Sequence, residues 1–148
     1  MTKPATTIET IATSCIAGRL RLLNRVITNL YDDALRPFGV KLSQGNVLAV
    51  TAKLGVARPA QVCDILELDT STLSRTVDRM VDKGWLEIVS DADGRSQPFR
   101  LTDEGRRLME ESIPAWERAQ AEANRLLGED GLRLLDETIR RIKLTTAG

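Results

Sequence analysis

A mainly α protein carrying one small β-hairpin is the fold class this sequence predicts, and three observations predict it. Apolar residues recur at helical spacing through several long segments. Aromatic residues make up only 3% of the 148 residues, which favours aliphatic helix packing over a sheet core. Residues 85–89 alternate weakly, and a turn containing Gly94 leads from them to a second short apolar segment at Phe99 and Leu101. With 42% hydrophobic residues the chain can bury one core, so it is expected to fold as one protomer with an oligomerisation element.

The first helix is expected over 6–36. Ile16, Leu20, Leu23, Ile27, Leu30 and Ala34 form one apolar stripe, and Ile8, Ile11, Cys15, Leu22 and Val26 form a second. Two apolar faces on one helix require burial on both sides, by the protomer's own core and by something else. Pro37 and Gly39 end this helix. A second helix opens at Leu42-Ser43 with Ser43 as its N-cap, buries Val47, Leu48 and Leu54, and ends at Gly55. Val56 and Ala57 have the character of a short strand.

Pro59 suits the first position of a third helix, where a missing N–H costs nothing, and that helix is expected to end near Glu67. Asp69 or Thr70 then caps a fourth helix, with Leu73, Val77, Met80 and Val81 as its inner face and Gly84 as its left-handed end. Next comes the hairpin, with its turn over 91–97. Pro98 donates no ladder hydrogen bond and belongs at a sheet edge. Thr102 and Gly105 open a fifth helix, expected to kink at Pro114. A sixth holds Leu132, Leu135, Ile139 and Ile142 at spacings of three, four and three, an a/d seam.

This order describes a winged helix-turn-helix between terminal helices. The divisions expected are a dimerisation helix at 1–36, a lobe at 42–101 whose DNA-binding character rests on the residues that follow, and helices completing the dimerisation region at 102–148. The fourth helix turns Thr70, Ser71, Thr72, Ser74, Arg75 and Arg79 outward. Arg75 and Arg79 are four apart and share a side. Arginine can donate two hydrogen bonds to guanine O6 and N7, and hydroxyls suit phosphate and softer base contacts. At the turn, Asp93, Gly94, Arg95 and Ser96 form a tip whose arginine can enter a narrow minor groove, with Asp93 holding its guanidinium. The simpler alternatives are a capped surface helix with Asp78–Arg75 or Asp82–Arg79 pairs, and a plain surface Asp93–Arg95 pair.

The charge balance sets a limit on this interface. Lys plus Arg equals Asp plus Glu at 21 each, and residues 55–101 hold six basic against eight acidic side chains, a balance of −2. Phosphate affinity must therefore come from a few placed arginines, hydroxyls and helix N-termini rather than from a broad basic surface.

The run Leu66-Glu67-Leu68-Asp69-Thr70-Ser71-Thr72-Leu73-Ser74-Arg75 resembles the turn and recognition helix of the MarR (multiple antibiotic resistance regulator) family. Asp93, Arg95, Leu101, Thr102 and Gly105 are similar to its wing and wing-to-helix junction. Residues 31–37 and Leu42-Ser43-Gln44 resemble the end of its first helix and the start of its second. The likeness runs through nearly the whole chain. It departs at Glu67, which stands at a helix-turn-helix corner where glycine is common, so the turn there is expected to be strained or shifted.

The resemblance implies a homodimeric regulator, by default a repressor, that binds double-stranded DNA at a pseudo-palindromic operator. It also implies a small-molecule effector, often an anionic aromatic, bound where the terminal helices meet the DNA-binding lobe. Trp116 and Tyr31 are the candidate walls of such a pocket, and the plainer reading of Trp116 is a space-filling core residue. Some relatives sense peroxides through a cysteine near the start of the first helix, which makes Cys15 the candidate redox residue. That class surrounds its thiol with tyrosines, and this chain has one. In an apolar stripe a free cysteine behaves as a small hydrophobe, and Cys63 reads as a packing residue.

Other classes find little support. With no histidine and two distant cysteines, neither a metal site nor any cofactor is expected. No paired nucleophile and base and no glycine-rich phosphate loop suggests an enzyme. A winged-helix module that docks another protein through the same polar face is the main rival. No run approaches the roughly 18 apolar residues of a membrane span, and a secretory signal pattern is lacking, so a cytoplasmic protein without a membrane partner is expected.

Overall fold

The computed structural model describes residues 5–90, 94 and 96–146. Its elements, in chain order, are α1 (Ile8–Ser14), α2 (Ile16–Leu35), a 3-10 turn (Arg36–Phe38), α3 (Leu42–Leu54), α4 (Pro59–Leu66), α5 (Thr70–Asp82), β1 (Leu86–Ile88), β2 (Phe99–Leu101) and α6 (Asp103–Thr146). This is the mainly α architecture with a two-stranded wing that the sequence predicts.

The expected single first helix is divided at Cys15, whose ψ of 119° is extended. Ile8, Thr10, Ile11, Thr13 and Ser14 are weak helix formers. The Thr13 hydroxyl turns back to the Glu9 carbonyl, and the Arg19 guanidinium donates to the freed Thr13 carbonyl. Cys15 is exposed at this break rather than packed in a stripe. Further along α2 the apolar stripe does reach the core. Tyr31 and Leu35 are buried, with Ile27, Leu30 and Ala34 packed beside them. Ile16, Leu20, Leu22 and Val26 remain exposed.

The N-cap of α3 is Lys41, not Ser43. A longer-range partner replaces the expected local cap: the Asp32 carboxylate of α2 accepts from the Leu42 N–H at 2.8 Å. The Gln44 side chain accepts from the Lys41 N–H at 3.0 Å. Pro59 begins α4 as predicted. Asp69 is the N-cap of α5, and at the other end Gly84 (φ 81°) closes the helix. There the Trp85 and Gly84 amides return to the Met80 and Val81 carbonyls.

Strands β1 and β2 pair antiparallel with Leu86 opposite Leu101, Glu87 opposite Arg100 and Ile88 opposite Phe99. Ala57 adds an isolated antiparallel bridge to Phe99 in place of a full third strand. Pro98 lies just outside β2 and only accepts, from the Val89 N–H. Val47, Leu48, Val62, Leu73, Met80, Leu86 and Phe99 fill the lobe's core.

The kink expected at Pro114 falls instead at Gly128, whose φ of 68° and ψ of 172° are not helical. Pro114 is exposed, so the Glu110 carbonyl it leaves without an amide partner can face water. Ala115, Ala119 and Ala123 are buried at four-residue intervals on the same stretch. Their small side chains let α6 lie closely along α2, and the backbone stays helical through the proline. Gly128 can adopt a left-handed φ without a side-chain penalty, so the bend settles there.

Candidate nucleic-acid interface

The polar face of α5 is built by anchoring its opposite side. Leu73 (1% exposed), Val77 and Met80 (0%) are buried, while Thr70, Ser71, Ser74, Arg75 and Arg79 are exposed. At 100° per residue, Arg75 lies near the centre of the face opposite the three buried anchors. Neither Arg75 nor Arg79 forms an ion pair among the described residues, so the Asp78–Arg75 and Asp82–Arg79 pairs are not made.

The hydroxyls of Ser71 and Thr72 have a structural duty that the sequence reading did not foresee. Both donate to the Asp69 carboxylate at 2.8 Å, and the Thr72 N–H donates to it at 2.7 Å. These hydrogen bonds, from the Thr72 amide first and then the two hydroxyls, hold the Asp69 carboxyl down at about 2, with Arg75 nearby adding to the effect. Ser71 and Thr72 keep their oxygen lone pairs but direct their protons to the cap. Thr70 and Ser74 instead line a shallow cleft between α5 and the wing, with Pro59, Ile88, Gln97 and Phe99.

Before α5, Glu67 adopts a left-handed conformation (φ 52°, ψ 48°), so the turn is strained rather than shifted. The Leu68 amide closes it by donating to the Cys63 carbonyl at 3.0 Å.

In the wing, Glu87 and Arg100 pair across the two strands at 2.6 Å. At the described part of the tip, Gly94 has φ 60°, and Ser96 accepts from the Arg58 guanidinium at 3.0 Å. Arg58, directly before Pro59, thus ties the start of α4 to the wing. It is one of the six basic residues of 55–101, and its place directly before a helix-starting proline is the signal in the sequence that points to it. Asp93 and Arg95, and with them the expected Asp93–Arg95 pair, lie outside the described residues.

Thr102 and Gly105 lock the wing to α6. The Thr102 hydroxyl donates to the Gly84 carbonyl at 2.5 Å and accepts from the Gly105 amide at 3.0 Å. A Cβ at Gly105 would lie 2.1 Å from the Trp85 carbonyl oxygen, so glycine is required.

Beside the lobe, a cavity of about 250 Å³ opens between α3 and α6. Trp116 is one of its walls, with Leu35, Val40, Met109 and Ile113. Tyr31 is not a wall. It is buried behind Trp116, ring centroids 6.2 Å apart, and its hydroxyl donates to the Gln120 side chain. Burial raises the Tyr31 hydroxyl's pKa. Cys15 stands away from any ring contact at the α1–α2 break, and Cys63 is half-buried in α4. No helix among the described residues is long and apolar enough to cross a membrane.

Comparison with known proteins matches the same lobe. A model of the MarR family matches residues 38–96, from the end of the 3-10 turn to the wing tip. The multiple antibiotic resistance protein MarR of Salmonella typhimurium is 29% identical over 96 residues, covering 64% of this chain and 67% of that protein. Among the curated relatives, the matched region spans 64% to 67% of their length. Among solved structures, a cysteine-to-serine variant of E. coli MarR complexed with operator DNA superposes with a TM-score of 0.81 at 20% identity, covering 93% of this chain and 99% of that one. The M. tuberculosis transcriptional regulator MOSR in complex with DNA gives 0.78 at 26% identity, covering 90% and 98%. The lobe at residues 38–96 thus matches the MarR family, and the chain with its surrounding helices shares the winged helix-turn-helix fold of these structures.

Proposed function

We propose that this protein is a sequence-specific transcriptional regulator that binds double-stranded DNA as a homodimer. The observation that carries this is the outward face of α5, where Arg75 and Arg79 stand exposed and, among the described residues, outside any ion pair, while Leu73, Val77 and Met80 anchor the helix. A helix of this kind beside a wing fits the major groove, and its arginines can donate to guanine edges. The DNA in the E. coli MarR and MOSR complexes supports the same reading. The exposed apolar residues of α1, α2 and the end of α6 support a dimer. Two-fold symmetry then calls for a pseudo-palindromic site with half-sites about one helical turn apart. Repression is the direction the family resemblance implies, with release by a small molecule in the α3–α6 cavity.

The test is fluorescence anisotropy with DNA from upstream of the protein's own gene, beside a scrambled duplex, at two salt concentrations. Tight binding that prefers the native duplex and weakens steeply with salt is expected. The balance of −2 over residues 55–101 favours one rival, docking of another protein through the same face. Weak, salt-insensitive binding to both duplexes would support that rival.

A further inference from the structure

We propose that the α3–α6 cavity takes an uncharged, apolar small molecule of one or two rings, and not an anionic aromatic. This rests on reading the protein as a ligand-released regulator and names the class of ligand. Eleven residues line the cavity, and none of them is charged. Leu35, Val40, Leu42, Met109, Ile113 and Trp116 make most of its wall.

Its polar side-chain groups are the Ser112 hydroxyl, the Asn46 amide and the Trp116 indole N–H, none of them a cation. The Ser112 hydroxyl is buried and donates to the Met109 carbonyl at 2.9 Å, so its proton is committed. Asn46, on the exposed side of α3, is left to offer one hydrogen bond to an entering molecule. A carboxylate in this space would lose water with no cation to pair with, whereas a hydroxyl or ketone could use the Asn46 amide. The volume of about 250 Å³ exceeds the ~150 Å³ apolar cavity that holds benzene, which leaves room for a substituted ring. Because α3 belongs to the lobe and α6 runs along α2, an occupant pressing on both walls acts on the angle between them.

The experiment titrates the full chain at pH 7 by calorimetry with 4-tert-butylphenol and with 4-tert-butylbenzoate, while anisotropy follows bound operator DNA. The phenol should bind at least tenfold more tightly than the carboxylate. Asn46→Arg, a change at an exposed position on the cavity wall, should reverse that order. Equal or tighter binding of the carboxylate by the wild type overturns the proposal. So does an unchanged order in Asn46→Arg, which would place the probe elsewhere, or an absence of binding by both probes. Phenol binding with the expected order but without DNA release would leave the ligand class standing and remove the ligand-release reading.

Discussion

At Asp69, one carboxylate organises the start of the helix that carries Arg75. It accepts from the Thr72 amide and from the hydroxyls of Ser71 and Thr72, and in doing so it fixes the first turn from which Arg75 projects. Its pKa is depressed from 3.8 to about 2, so its stabilisation is full above 3.8 and is lost as pH falls towards 2. Asp69→Ala should therefore melt below wild type at neutral pH, and the gap should close between about pH 3.8 and pH 2 in thermal scans. A gap that stayed constant would mean the cap does not act through its charge. Arg75 has the opposite character, exposed and, among the described residues, outside any ion pair. Arg75→Ala should reduce the preference for native over scrambled duplex by roughly tenfold or more, in line with the ~1–3 kcal/mol of one bidentate base contact. Its melting temperature should stay near wild type, which separates reading from folding.

At the scale of elements, punctuation decided what could be read from the sequence. Pro59, Asp69 and Gly84 mark the ends of α4 and α5 through local rules, and the structure puts these boundaries where those rules do. The cap of α3 was not legible, because Asp32, ten residues away on α2, serves in place of Ser43. Nor was the bend in α6. Pro114 was the stronger local signal, yet the buried alanines beside it pack α6 along α2 and the backbone stays helical there. The site divides in the same way. The outward set on α5 follows from helical period, but the capture of the Ser71 and Thr72 protons by Asp69 needs coordinates. The junction of wing and α6 was visible only as a motif, and its cause is steric. Gly105→Ala would drive a methyl group into the Trp85 carbonyl, at 2.1 Å before any relaxation. The expected loss is at the upper end of the ~1–3 kcal/mol typical of overpacking, measured by chemical denaturation. A neutral result would show that the backbone there yields freely.

For the whole molecule, the question is what covers the apolar surface left at both ends of the chain. Ile8 is 88% exposed, Ile16 66%, Leu22 65% and Ile142 57%, along helices otherwise built with apolar periodicity. Beyond Gly128, Ile139 and Ile142 face Ile65 of α4 across an open cleft, so the predicted seam does not close within one protomer. Exposure of this extent is uncommon on a monomer and usual at an interface. A second copy is the simplest cover, because it would bring the same two ends together by symmetry and could set two α5 helices on one face of a duplex. Sedimentation should therefore give twice the 16.4 kDa chain mass. The double change Leu135→Glu and Ile139→Glu should shift the protein towards monomer, because each new charge would have to lose its water in the interface. The same variant should lose most of its affinity for a two-half-site duplex but little for a single half-site, since each lobe keeps its own core and its own α5. If it bound the full site as wild type does, the seam would not be the element that spaces the two recognition helices.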